Sequence, residues 1–146
     1  VRREPKWVSK PAALAIHERL LAEHGGPAGV LDEGKLEAAL ASPRNHFAYG
    51  EKDLFQLAAA YAHAITRDHP FQDGNKRVAL TLVGVFLELN GFRLDAPEND
   101  AVNATLALST REIDQDGFAA WLRASSSKAP SPRKKPRPKP SRARKR

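Results

Sequence analysis

The sequence predicts an all-α domain of about six helices followed by a disordered basic tail. Three observations support this: apolar residues between Asp53 and Arg67 recur at three-four spacing, Val78–Leu89 is apolar almost all round, and no stretch shows sustained period-two alternation. The folded part is expected over residues 1–127 and the tail over 128–146. No internal repeat divides the chain.

Ser9-Lys10-Pro11 reads as a helix start, a capping serine with proline tolerated in the first turn, and Gly25-Gly26 as its stop. Leu14, His17, Leu21 and His24 fall on one face of that helix. Asp32 is positioned to cap a second, short helix running through Leu40 and ended by Pro43. Asp53 caps a third, whose face carries Leu54, Leu57, Ala58, Tyr61 and Ile65. The fourth, from about Asn75, is the central buried helix, and Asn90-Gly91 closes it. Pro97 to Leu108 and Asp116 to Ala124 read as the last two, Trp121 and Leu122 packing inward. Phe92-Arg93-Leu94 is the one short strand candidate.

Charge is unevenly placed. Residues 1–127 hold 14 Lys and Arg against 17 Asp and Glu, whereas residues 128–146 hold ten basic residues, five prolines and no acid. Such a tail has too little apolar surface to offset the entropy of ordering. It suits non-specific contact with nucleic-acid phosphates or, equally, service as a solubilising extension, and its lack of aromatics argues against reading bases. The absence of cysteine excludes disulfides, thiolate catalysis and Cys-based metal sites. The longest apolar run is shorter than the roughly 20 residues a bilayer span needs, and no charged-then-apolar signal segment opens the chain, so a soluble, cytoplasmic protein is expected.

The chemistry concentrates in His69-Pro70-Phe71-Gln72-Asp73-Gly74-Asn75-Lys76-Arg77, directly before the fourth helix. His69 follows a helix end, and an imidazole suits accepting a proton from a hydroxyl near neutral pH. Asp73 offers a hard oxygen for Mg²⁺, which nucleotide sites hold with one or two carboxylates plus phosphates and water. Gly74 and Asn75 tolerate left-handed backbone that turns N–H groups toward an anion, at a helix start whose dipole favours negative charge. Lys76 and Arg77 add cations, Arg77 with a fork suited to phosphate. Phe71, flanked by polar residues, reads as a structural anchor. His17, His24 and His63 read as packing or surface residues, and His46 stays open between those roles and a functional one.

This nine-residue string resembles the signature of the Fic/Doc superfamily, and its Doc, death-on-curing toxin, branch in particular. The resemblance covers about residues 7–124, including Glu23-His24-Gly25-Gly26, Asp32-Glu33-Gly34 and Tyr49-Gly50-Glu51-Lys52-Asp53-Leu54. It implies His69 as general base, Asp73 as Mg²⁺ ligand, and Gly74, Asn75 and Arg77 on nucleotide phosphates. Many Fic adenylyltransferases have glycine at the position of Lys76 and a second arginine at that of Leu80. The departure here points to the Doc activity: transfer of the γ-phosphate of ATP to a hydroxyl of a protein, elongation factor Tu in that family, arresting translation. Adenylylation of a target hydroxyl and a non-enzymatic binding module are the alternatives.

The resemblance also implies a target-docking flap, placed at Asn45, His46, Phe47, Ala48 and Tyr49 in a turn-rich Arg44–Gly50 segment able to pair with an extended peptide. No self-inhibitory Ser/Thr-x-x-x-Glu-Gly/Asn pattern occurs, so restraint is expected from an antitoxin acting in trans.

Overall fold

The computed structural model describes residues 4–129. Its elements in chain order are α1 (Lys10–His24), α2 (Glu33–Ala48), α3 (Leu54–Asp68), α4 (Asn75–Leu89), β1 (Phe92–Leu94), α5 (Glu98–Ser109), α6 (Gln115–Ala124) and β2 (Ser126–Lys128). Side chains cap four of the helices: Ser9 accepts from Ala12 N–H, Asp32 from Lys35 N–H, Asp53 from Phe55 N–H and Asp114 from Gly117 N–H. Among the described residues no helix is long and apolar enough to cross a membrane.

Three sequence expectations change. α2 does not end at Pro43 but continues to Ala48, with Pro43 buried inside it. An interior proline costs a helix about 3 kcal/mol, and here burial of Leu36, Ala39, Leu40 and the proline ring itself opposes that cost. Asn45 to Ala48 are consequently helical, and only Tyr49 and Gly50 form the turn. Second, Phe92–Leu94 pairs antiparallel with Ser126–Lys128, Phe92 opposite Lys128 and Leu94 opposite Ser126, so the domain carries a small sheet. Third, Lys128 therefore lies in β2 instead of the tail, and Ala129 N–H donates to Gly91 O at 2.9 Å. The rest of the basic tail, 130–146, lies outside the described residues.

α3 and α4 form the centre, against which α1, α2, α5 and α6 pack. α3 is the more enclosed of the two, with ten of its fifteen residues buried against seven of fifteen in α4. Its alanines at 58, 59, 60, 62 and 64 let neighbouring helices approach closely, while Leu57, Tyr61 and Ile65 fill the core with Leu82, Phe86 and Leu122. The segment before α1 is tied across this core. Trp7 stacks on Phe86 with ring centroids 5.9 Å apart, and Val8 N–H donates to the buried Tyr61 hydroxyl at 3.0 Å. The packing leaves the α3–α4 connection, residues 69–74, at one end of the central pair.

Candidate active site

His69 ends α3. Its backbone is left-handed (φ 50°), its N–H closes on Ile65 O at 3.0 Å, and its side chain is exposed. A non-glycine residue in that region is disfavoured by about 1–2 kcal/mol, so the loop's other contacts must hold it. Those contacts come from the α1–α2 connection. Leu31 and Asp32 donate N–H to Pro70 O at 2.7 and 3.1 Å, Gln72 donates to Gly29 O at 3.2 Å, and Val30 bridges Phe71 in antiparallel fashion.

Phe71 is 1% exposed and stacks on the buried His17 with centroids 4.2 Å apart. Its backbone is gripped by Asn75, whose Oδ1 accepts from Phe71 N–H and whose Nδ2 donates to Phe71 O, both at 3.0 Å. Asn75 is helical and both ends of its side-chain amide are engaged on Phe71, while its backbone N–H is left free to face an anion. Gly74, at φ 80°, is the left-handed residue that sets the start of α4.

No side chain caps α4 and its first turn holds no acid. The N–H groups of Gly74, Asn75, Lys76 and Arg77 have no intramolecular acceptor among the described residues, the first α4 bond running from Val78 N–H to Gly74 O. They open onto a cleft of about 360 Å³ lined by His69, Gln72, Asp73, Gly74, Asn75, Lys76 and Arg77. Lys76 and Arg77 are exposed there. Unpaired N–H groups, a helix dipole and two cations make the wall attractive to a polyanion.

Asp73 is the one acid in that lining. Its carbonyl oxygen meets His17 Nε2 at 3.2 Å, and its carboxylate passes so close to Gly26 that a Cβ there would sit 2.7 Å from Oδ2. Among the described residues no group of three or more His, Cys, Asp or Glu gathers to hold a metal. One carboxylate beside an anion cradle does fit Mg²⁺ arriving with a nucleotide, whose phosphates and waters complete the coordination.

Neighbouring charges are otherwise engaged. Arg67 forks onto Asp68 at 2.8 and 3.0 Å, and that hydrogen bond holds the Asp68 carboxyl below the usual carboxylate range. Burial, with Arg67 and Arg111 nearby, pushes the His63 imidazole down. His24 is exposed beside Glu23, a surface residue.

Asn45, His46, Phe47, Ala48 and Tyr49 are absent from the cleft lining. Phe47 packs edge-on against Trp7, and Tyr49 is 92% exposed. The segment lying against the motif is Gly29–Asp32, whose Leu31 is 58% exposed. Sequence reading missed this pairing because nothing in Gly29-Val30-Leu31-Asp32 encodes its partner. His17 packs, as its place among Leu14 and Leu21 on a helix face indicated, but its bond to the Asp73 carbonyl had no signal in the sequence.

The Fic/DOC family model matches residues 7–87, which span α1 through most of α4. A protein of Escherichia phage P1 named protein kinase doc is 36% identical over 120 residues, 81% of this chain and 94% of that protein. A protein of Mycolicibacterium smegmatis named toxin Doc is 36% identical over 110 residues, 72% of this chain and 84% of its own. With the motif loop, the α4 anion cradle and these similarities together, the chain belongs to the Fic/DOC family.

Proposed function

We propose that this chain is a toxin of a toxin–antitoxin pair that transfers the γ-phosphate of ATP to a Ser or Thr hydroxyl of a protein, with elongation factor Tu as the target and translation arrest as the result. The observation that carries this reading is the convergence of His69 and the unpaired first-turn N–H groups of α4 on one cleft. The names of the two relatives support the kinase and toxin parts. The setting is cytoplasmic.

In the mechanism, His69 takes the proton of the target hydroxyl as the oxygen attacks the terminal phosphorus, and the bond from that phosphorus to the β,γ-bridging oxygen breaks to release ADP. The N–H groups of Gly74, Asn75, Lys76 and Arg77 hold the phosphates, and the Lys76 and Arg77 side chains stabilise charge on the transferred group. Asp73 holds the Mg²⁺, which when bound neutralises phosphate charge. Phe71 keeps the loop seated. Target docking belongs to Gly29–Asp32, where Leu31 is exposed beside the backbone of Pro70.

The absence of a cation at Leu80, half-buried three positions after Arg77, favours this reading over adenylylation. The antitoxin acts in trans on a groove between α1 and α4, where Ile16, Leu20, Thr81 and Val85 adjoin the exposed Arg19 and Glu23. The basic residues of 130–146 add non-specific nucleic-acid contact, expected as retention on RNA that falls with salt and disappears on deleting them.

The test is incubation of the protein with Mg²⁺ and bacterial lysate, in parallel with γ-labelled and α-labelled ATP, beside His69→Ala. Label from the γ-phosphate alone on an elongation-factor band, lost in the variant, is expected. Label from the α-phosphate would establish adenylylation instead. An undiminished growth effect of His69→Ala would establish a binding role.

A further inference from the structure

Besides Tyr61, whose hydroxyl takes the Val8 N–H, four polar residues are buried among the described residues: His17, Thr66, Asn75 and Thr105. The two threonines return their hydroxyls to their own helices, on Ala62 O and Ala101 O. The other two both reach the motif loop, Asn75 at Phe71 and His17, from 56 positions away, at Asp73.

His17 is 4% exposed, and its ring lies nearly parallel to that of Phe71, at 21°. Packing alone would be served as well by phenylalanine, which brings no polar group into the interior. An imidazole there is tolerated because Nε2 bonds the Asp73 carbonyl, and since a carbonyl only accepts, Nε2 must carry the hydrogen.

That bond has a directional consequence. The chain contains no cis peptide among its described residues, and in a planar trans peptide the N–H points opposite to the C=O. Holding Asp73 C=O toward α1 therefore turns Gly74 N–H away from α1, on the side where Gly74 lines the cleft. The α1 helix thus sets the orientation of the first donor of the cradle, and its terminal loop at Gly26 flanks the Asp73 carboxylate.

We propose that His17 is a positioning residue: its Nε2–H, held on the Asp73 carbonyl, fixes the 73–74 peptide so that Gly74 N–H presents itself to the bound phosphate. The inference rests on reading the cleft as a phosphate site, and it assigns to α1 a part in forming that site.

The full chain and two variants test it. His17→Phe keeps the stacked ring and removes the donor, whereas His17→Gln removes the ring and keeps an N–H. The readouts are the melting temperature, the residual dipolar coupling of the Gly74 N–H without ligand, which reports its orientation, and calorimetric affinity for ATP with Mg²⁺. His17→Phe is expected to stay folded, change the Gly74 N–H coupling and bind about tenfold more weakly, the factor carried by one hydrogen bond of ordinary net strength. His17→Gln is expected to recover most of that loss. Unchanged binding and an unchanged Gly74 N–H coupling in His17→Phe would overturn the proposal, as would His17→Gln binding no better than His17→Phe. Should His17→Phe fail to fold, His17→Gln decides alone, a tenfold loss at near-native melting temperature counting against the proposal. A wild type that binds no nucleotide would instead overturn the phosphate reading beneath it.

Discussion

Asn75 clasps Phe71 in both directions, its amide oxygen on the Phe71 N–H and its amide nitrogen on the Phe71 carbonyl, each at 3.0 Å. The first residue of α4 thereby holds the backbone of the loop that precedes it, while its own N–H stays available to the cleft.

Asn75→Ala leaves both Phe71 groups buried and without partners. An unsatisfied buried group costs about 1–3 kcal/mol, so the variant should lose about 2–4 kcal/mol of stability. Urea denaturation checks this, with a lower midpoint at unchanged slope as the expected signature. A midpoint equal to wild type would show that the clasp contributes nothing.

The left-handed backbone of His69 determines which substitution gives a clean loss of activity. Asparagine tolerates that conformation better than alanine, so His69→Asn should melt close to wild type while turnover falls about 10²–10⁴-fold, the usual worth of a positioned base. Thermal melting and labelled-phosphate transfer are measured on the same preparation. Retained turnover would remove His69 from the mechanism.

Gly26 and Gly29 both have positive φ, at 112° and 106°, but only Gly26 has Asp73 in the way of a side chain. Gly26→Ala should add about 1–3 kcal/mol of backbone strain and displace the carboxylate, raising the Mg²⁺ concentration for half-maximal activity about tenfold. Gly29→Ala carries the same kind of strain with open space around its Cβ, so its Mg²⁺ dependence should match wild type. Equal Mg²⁺ dependence in the two variants would dissociate Asp73 from the metal.

Tyr61 is fully enclosed and its hydroxyl accepts from Val8 N–H. Burial pushes its pKa above the ordinary tyrosine value, against the smaller opposing effects of the Val8 N–H and Arg44. The protonated form is thus the one the fold prefers. Its stabilisation is present below about pH 10 and is lost as pH rises through the raised folded value. Tyr61→Phe should cost about 1–2 kcal/mol at neutral pH by orphaning the Val8 N–H, and should flatten the alkaline fall in melting temperature. Parallel alkaline profiles for the two proteins would place the titration elsewhere.

What could be read from the sequence alone is what neighbouring residues decide among themselves. Asp53 caps α3 and the three-four spacing carries it to Asp68; Gly74 turns the chain into α4; Phe71, apolar among polar neighbours, is buried. Caps, periodicity and left-handed glycines act within a few positions, so the sequence displays them, and the motif string was specific enough to carry the family. Contacts between distant segments were decided by tertiary structure. α2 passes through Pro43 because the core buries that face; β1 waits for a partner 32 positions or more along the chain, at Ser126–Lys128; Gly29–Asp32, not Asn45–Tyr49, lies against the motif. His17 belongs to the same class. Its helix face was readable, but the carbonyl it holds is 56 residues away, and only folding α1 across the motif brings the two within a hydrogen bond.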